Sequence, residues 1–594
     1  MIPFSQKLAL LRALMKDEKI DVFIVPSSDP HIGEQIPWHW KIIPWLTGFN
    51  GSAGTVVITD TFAGLWTDSR YFIQAERQLK DSGFEFVRPE KHKRYDYIDF
   101  LCENISPGTT VGLDGRIFPA ERFRMLESRL REKEIIIKSE CRLTDLLWKN
   151  RPAMPFSEAF DHPLEFCGKE RASKISEVRQ QMKLKNAEYQ LLTAPDDIMW
   201  LLNIRGGDLE YSPLLLSFAL VGMEQLLFFV DEDKFSRKLA AEFDTLGVVI
   251  LPYEDAEIII SSVTEGSSVL VHPQTTSVSM LNAVSGAASI VEDISIPSRL
   301  KAIKNSTEIE NICKVVLKDG VALVRLYIWL ENNTGRIPLS ESAIAAKVNW
   351  LRMQQEDFLG PSFETIVAFG ANSALPHYIP DDTRDDPVGE RGLLLIDSGG
   401  HYMGGTTDIT RTVSIGIPEA IQKRDFTLVL KGHINLAMAR FPSGTRGYQL
   451  DLLARRAMWG SGVNYTHGTG HGVGYCLNVH EGPQSISPAD NRTTIEAGML
   501  TSNEPAIYRE GEYGIRTENL ILCYEDEETE YGKFMRFDTV TLCFIDKNLI
   551  DPSALNDQEI EWLNRYHSEV YDRLSPFLAD EEREWLREKT GELN

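Results

Sequence analysis

The stretch LLLIDSGGHYMGGTTDITRTV, residues 393–413, decides how the C-terminal half of the chain is read. Apolar or small residues, Gly392–Ile396, run into Asp397, the pattern of a buried strand whose end opens into a cleft. Asp408 follows eleven residues later and starts the alternating run DITRTVSIG. Glycines in the intervening turn favour a hairpin return, so two antiparallel strands are expected to carry both carboxylates side by side. Acids placed that way repel strongly unless a cation lies between them.

Three further motifs lie downstream. HGTGHGVGYCLNVHEGP, residues 467–483, holds His467, His471 and His480, a concentration in a chain with only 12 histidines. Its glycines 468, 470, 472 and 474 remove side-chain bulk where the backbone passes close to something. TSNEPAIY carries Glu504, and YGIRTENLIL carries Arg516 and Glu518. Two residues apart in a strand, Arg516 and Glu518 are expected on one face, with Arg516 orienting a metal-held carboxylate. His377 follows the strand and polar turn of ETIVAFGANSALPHY. Asp397, Asp408, His471, Glu504 and Glu518 together offer four carboxylates and one imidazole, a set suited to two divalent ions and to metal-assisted hydrolysis.

Outward from this region the chain of 594 residues reads as three domains, 1–157, 158–303 and 304–594. The first alternates helix and strand: a helix near 5–17, strands Asp21–Pro26, Thr55–Thr59, Ala63–Thr67 and Glu134–Lys138, and a helix from Tyr71. The second repeats that plan, with a helix over 168–186. Trp45–Asp68 and Trp200–Asp231 share an order of Trp-Leu, glycine turn, strand, break, strand and Asp, which reads as a weak internal duplication. In the third, Asn305 with Glu308 makes a capping-box pattern for a long helix over 306–331, and a second helix is expected near 340–355. Strands follow at Thr365–Phe369, Gly392–Ile396, Thr410–Ile415, Met499–Thr501 and Ile515–Cys523, and the tail 557–592 is helical.

Composition excludes several classes. A net charge of -25 repels phosphate backbones, so nucleic acid is not an expected partner. Seven widely spaced cysteines with no CxxC make neither a disulfide framework nor a zinc knuckle, and reduced thiols fit a cytoplasmic protein. The N-terminus lacks a continuous apolar core and a cleavage site, and no window approaches the ~18 apolar residues of a membrane span.

PSFETIVAFGANSALPHY, LLLIDSGGHYMGGTTDITRTV, HGTGHGVGYCLNVHEGP, NEPAIY and YGIRTENL resemble, in order and spacing, the pita-bread metallopeptidases. Among these the chain is similar to the three-domain cytosolic aminopeptidase P (Xaa-Pro aminopeptidase) family. WLTGFNGSAGTVVITDTFAGLWTDSRYF and WLLNIRGGDLEYSPLLLSFA extend the resemblance over nearly the whole chain. The resemblance implies an α/β (α+β) protein with two related creatinase-like α/β domains before a C-terminal pita-bread domain. It implies that Asp397 binds one metal, His471 and Glu504 the other, and that Asp408 and Glu518 bridge both. His377 and His480 are then expected at the substrate or the transition-state oxygen, and His467 along the pocket. Glu504 is the expected carrier of the water proton to the leaving nitrogen. Asn503 stands where many relatives have aspartate, at a position that is not a ligand.

The implied substrates are peptides with proline second, cut at the Xaa-Pro bond. That tertiary amide lacks the N–H by which general peptidases dock extended chains. The implied metal is manganese, with zinc or cobalt also permitted by the donor set, and the implied assembly is a homodimer. A prolidase restricted to Xaa-Pro dipeptides is the alternative within hydrolases, disfavoured by the duplicated N-terminal unit. A metal-free binding relative or a creatine-type hydrolase is disfavoured by the intact ligand set, and a methionine aminopeptidase by the two preceding domains.

Overall fold

The computed structural model describes residues 2–88, 96–380 and 387–593. It divides into two compact units. Unit 1 is Met1–Asp161, Glu170–Glu210 and Leu214–Pro297, and unit 2 is His162–Lys169, Tyr211–Pro213 and Ser298–Asn594.

Unit 1 contains two six-stranded sheets. The first runs, edge to edge, Glu85–Phe86, Ala63–Trp66, Thr55–Ile58, Val22–Pro26, Thr110–Leu113 and Ile136–Lys138. The second runs Val248–Leu251, Leu226–Phe229, Phe218–Gly222, Tyr189–Leu192, Ser268–Val271 and Ser289–Glu292. Pairing directions match strand for strand: parallel, antiparallel, antiparallel, parallel, parallel. The duplication expected from two tryptophan-led segments is therefore a repeated topology. Strands such as Val22–Pro26 are apolar throughout because helices cover both faces. Helix Phe4–Asp17 supplies Leu8, Leu11 and Met15 to one face by helical spacing, and Tyr97–Asn104 and Ala120–Leu130 cover the other.

Unit 2 opens on the helix Ser306–Asn333, and both reciprocal bonds of its expected capping box are made, Asn305 to the Glu308 amide and Glu308 to the Asn305 amide. Its sheets are antiparallel. Strand Gly392–Ser398 lies between Ile366–Phe369 and Ile409–Ile415. Leu500–Asn503, Asn519–Thr529, Gly532–Thr539 and Arg440–Pro442 form a second sheet. Helix Ala420–Ala437 buries Phe426, Val429 and Leu430 against Leu500, Ile515, Leu520 and Leu522 from the strands. The tail forms helices Asp557–Leu574 and Asp580–Thr590.

One expected element is corrected. Ile515–Cys523 is two strands, Tyr513–Arg516 and Asn519–Thr529, broken at Thr517 and Glu518. Arg516 pairs with Ala506 in one hairpin, while Asn519 pairs with Asn503 in another sheet, so the same-face argument for Arg516 and Glu518 does not hold.

The hairpin that carries the two aspartates closes tightly. A Cβ on Gly399 would lie 2.0 Å from the Thr407 carbonyl oxygen and 2.2 Å from Ser362 Oγ. Gly399→Ala forces backbone apart at the base of the hairpin, and an unfolding loss of about 2 kcal/mol or more is expected. Denaturant titration of the full chain checks it; an unchanged midpoint rejects the close approach.

Candidate metal centre

Asp397 pairs across the hairpin with Thr410, and Asp408 lies two residues before Thr410. The two acids thus share one face of the strand pair. Strand Leu500–Asn503 delivers Glu504 at its end, where the Glu504 amide donates to the Thr469 carbonyl at 2.7 Å. Glu518 sits in the break between the two C-terminal strands, its amide donating to the Thr410 carbonyl. His471 comes from the short strand Gly470–His471, whose amide donates to Ser502 Oγ at 3.0 Å. Four remote segments therefore converge.

The donor atoms of Asp397, Asp408 and Glu518 lie within 4.8 Å of one another, as do those of His471, Glu504 and Glu518 and those of Asp408, His471 and His480. These overlapping groups include all five expected ligands. They also include His480, whose ring is 4.3 Å from that of His471, so this imidazole stands closer to the ligand cluster than the sequence indicates. His471 Nδ1 bonds the Gly472 carbonyl at 3.0 Å, which leaves Nε2 bare and 3.4 Å from Asp408 Oδ2 and 3.6 Å from Glu504 Oε1. That tautomer is the one a metal-binding histidine requires.

The electrostatics ask for a cation. Burial, with the Asp408 charge beside it, raises Asp397 above its ordinary value, against the pull of Arg516. Burial raises Glu504 to about 7, and burial with three acidic neighbours raises Glu518 well above its ordinary value. Asp397 Oδ1 is buried without a hydrogen-bond partner among the described residues. Acids in such surroundings ionise together only around positive charge, so the donor set fits a pair of divalent ions.

Supporting bonds fix these groups. Arg516 Nη2 pairs with Asp397 Oδ2 at 2.5 Å, and its Nε donates to Thr410 Oγ1, which donates to Glu518 Oε2 at 2.7 Å. Arg516 and Glu518 thus meet through a threonine of the facing strand rather than by sharing a strand. Arg516 Nη1 also donates to Tyr508 Oη at 2.6 Å, and Tyr508 Oη reaches His467 Nε2 at 3.0 Å. Tyr508 lies in the NEPAIY motif, yet nothing in the sequence gives it this link. His467 is 3.9 Å from Glu504. His377 is half-buried and belongs to none of the three groups. It lies between Ser373, whose Oγ accepts the Gly514 amide, and Tyr378, whose Oη donates to Glu341.

A second chain of bonds was not legible in the sequence. Arg411 Nη2 donates to Asn519 Oδ1 at 2.7 Å, which turns the Asn519 amide nitrogen toward His433 Nε2 at 3.0 Å. His433 Nδ1 is then the donor to the Asn503 carbonyl at 3.1 Å. Asn503 in turn donates to the His433 carbonyl at 2.9 Å. Helix Ala420–Ala437 thereby ties together the residues beside Glu504 and Glu518.

Comparison with known proteins gives a consistent result. Residues 310–525 match the model of metallopeptidase family M24, and residues 533–593 match the C-terminal region of peptidase M24. Residues 7–142 and 150–308 each match a creatinase/prolidase N-terminal domain. A Laccaria bicolor protein named "Probable Xaa-Pro aminopeptidase P" is 39% identical, covering 99% of this chain and 94% of its own. Xaa-Pro aminopeptidase 1 of Dictyostelium discoideum is 36% identical over 100% of this chain and 97% of its own. Among solved structures, an X-prolyl aminopeptidase from Caenorhabditis elegans, described as a cytosolic enzyme with a di-nuclear active site, has a TM-score of 0.96 at 33% identity over 100% of both chains.

The neutral state of His433 makes a prediction. Burial and the Arg411 charge lower its pKa from 6.5 to about 3. Below pH 6.5 the unfolded chain takes up a proton that the folded chain refuses, so stability falls with acidification until about pH 3. At pH 5 this one group costs about 2 kcal/mol relative to pH 8. His433→Gln should flatten the mean slope of unfolding free energy against pH between 7 and 5 by about 0.7 of a proton. An unaltered slope excludes a neutral buried His433.

Proposed function

The chain belongs to metallopeptidase family M24, and from that premise we propose that it is an Xaa-Pro aminopeptidase, releasing the first residue from peptides whose second residue is proline. The observation that carries the reading is the convergence of four carboxylates and the bare nitrogen of His471 in one cluster. Full-length relatives that bear this activity in their names support it.

In this reading Asp397, Asp408, His471, Glu504 and Glu518 hold two divalent ions, manganese by preference, with zinc or cobalt admitted by an oxygen-rich set with one imidazole. Ions held there supply a nucleophile at neutral pH, lowering the pKa of water from 15.7 toward about 7, together with positive charge for a developing oxyanion. The chain's own groups do the rest. Glu504 accepts the proton of the attacking water on a carboxylate oxygen and delivers it to the departing proline nitrogen. His480 donates a hydrogen bond to the carbonyl oxygen as negative charge grows on it. His377 holds the peptide in register, and His467, pinned by Tyr508, lines the pocket. Arg516 favours the ionised form of Asp397 and orients it. The acidic cluster draws the free amine of the substrate, which limits cutting to the first bond.

The three-domain division at 157/158 and 303/304 is part of the same reading, supported by the paired six-stranded sheets. So are a cytoplasmic location and a homodimer. The location draws on the Caenorhabditis elegans relative, which is described as cytosolic. No helix of the described residues is long and apolar enough to cross a membrane.

The test is release of the N-terminal residue from an Xaa-Pro-Yaa tripeptide and an Xaa-Pro dipeptide, after chelation and after manganese is returned. Metal-dependent cleavage of the tripeptide is expected; cleavage of the dipeptide alone reassigns the protein as a prolidase. His471→Ala should lower kcat by about a thousandfold or more while circular dichroism stays native. Near-normal turnover in that variant would remove His471 from the site.

A further inference from the structure

His480 is exposed, yet the next residue, Glu481, is among the most enclosed acids of unit 2. Its carboxylate is gripped by two lysines that precede the long helix Ser306–Asn333. Lys301 Nζ lies 2.9 Å from Glu481 Oε2, and Lys304 Nζ lies 3.6 Å from Oε1. The three side chains are 3%, 1% and 2% exposed. Lys304 Nζ also donates to the Lys301 carbonyl at 2.8 Å. Buried ammonium and carboxylate groups are costly to enclose and are kept in place by one another's charge.

The grip is transmitted by backbone. The Glu481 amide donates to the Gly472 carbonyl at 2.8 Å, and Gly472 follows His471 directly. A Cβ on Gly472 would meet the Glu481 carbonyl oxygen at 2.1 Å, and one on Gly474 would meet Glu481 Oε2 at 2.6 Å. Gly472 and Gly474 of the histidine motif therefore make room for Glu481 itself. On the other side, the Lys304 amide donates to the Gly498 carbonyl at 2.9 Å, just ahead of the strand Leu500–Asn503 that leads to Glu504. Both lysines lie before residue 310, where the M24 match begins.

We infer that Lys301 and Lys304 are positioning residues for the histidine loop. They clamp Glu481, and Glu481 sets where the exposed His480 and the adjoining His471 point. This rests on the reading of the site given above, in which both imidazoles serve the reaction. The catalytic segment of the chain is then completed by side chains from the link that precedes it.

The test uses full-length protein in three forms: parent, Glu481→Gln, and the triple variant Lys301→Met, Lys304→Met and Glu481→Leu. For Glu481→Gln, kcat on an Xaa-Pro-Yaa peptide should fall about tenfold or more, with KM changed less than about twofold, because the loss is felt in the transition state. Manganese affinity by equilibrium dialysis should weaken by about tenfold, the size expected for disturbed support of a metal-binding histidine. The triple variant replaces the whole buried ion cluster by apolar groups of similar size, so its Tm should return to within about 3 °C of the parent. Its kcat should stay low. Recovery of kcat together with Tm would reduce the clamp to a stabilising contact and overturn the inference, as would parent-like kcat and manganese affinity in both variants. A parent that neither binds manganese nor cleaves the peptide would instead remove the aminopeptidase reading.

Discussion

Four carboxylates crowded within a few ångströms and screened from water cannot all carry charge unless positive charge joins them. Much of unit 2 can be understood as the apparatus that tolerates this crowding. The hairpin brings Asp397 and Asp408 to one face, two strand ends bring Glu504 and Glu518, and a short strand in the glycine-rich motif brings the imidazole of His471. Arg516 meets part of the negative charge with a permanent cation against Asp397. Burial, with the negative charge that Arg516 leaves unmet, raises Glu504 and Glu518 out of the carboxylate range, which is the electrostatic signature of a place built for metal.

Around that centre the supports are polar and buried, and each is satisfied in a direction. Thr410 takes a bond from Arg516 and gives one to Glu518. Tyr508 takes one from Arg516 and passes on to His467. Such networks rigidify when their members are partnered, and here strand residues Thr410, Tyr508 and Arg516 hold Glu518 and His467, which lie outside the strands.

The parts legible in the sequence were those fixed by local pattern. Apolar strand, acid, glycine turn and alternating strand gave the hairpin, because period and turn chemistry act over a few residues. Asn305 and Glu308 announced their helix for the same reason. The repeated tryptophan-led segments announced two sheets that prove to share one topology. Spacing failed where the chain breaks: Arg516 and Glu518 face a common threonine although no single strand carries them. The bonds made by Tyr508, His433, Asn519 and Lys301 were invisible because each partner lies on another segment, and no local signal marks such a meeting. The nearness of His480 to His471 is of the same kind, set by how the loop is folded back.

The Arg411–Asn519–His433–Asn503 chain has a consequence for how this protein can vary. The first two links fix which atoms of Asn519 and His433 bear hydrogen, and the last ends on the Asn503 backbone carbonyl, so three side chains form one donor–acceptor sentence with a single grammar. Reversing one member, for instance an acid for the amide at 519, silences the donor that His433 needs and obliges its neighbours to change with it. Drift at these positions should therefore be concerted, and their substitutions heritable as a set rather than singly.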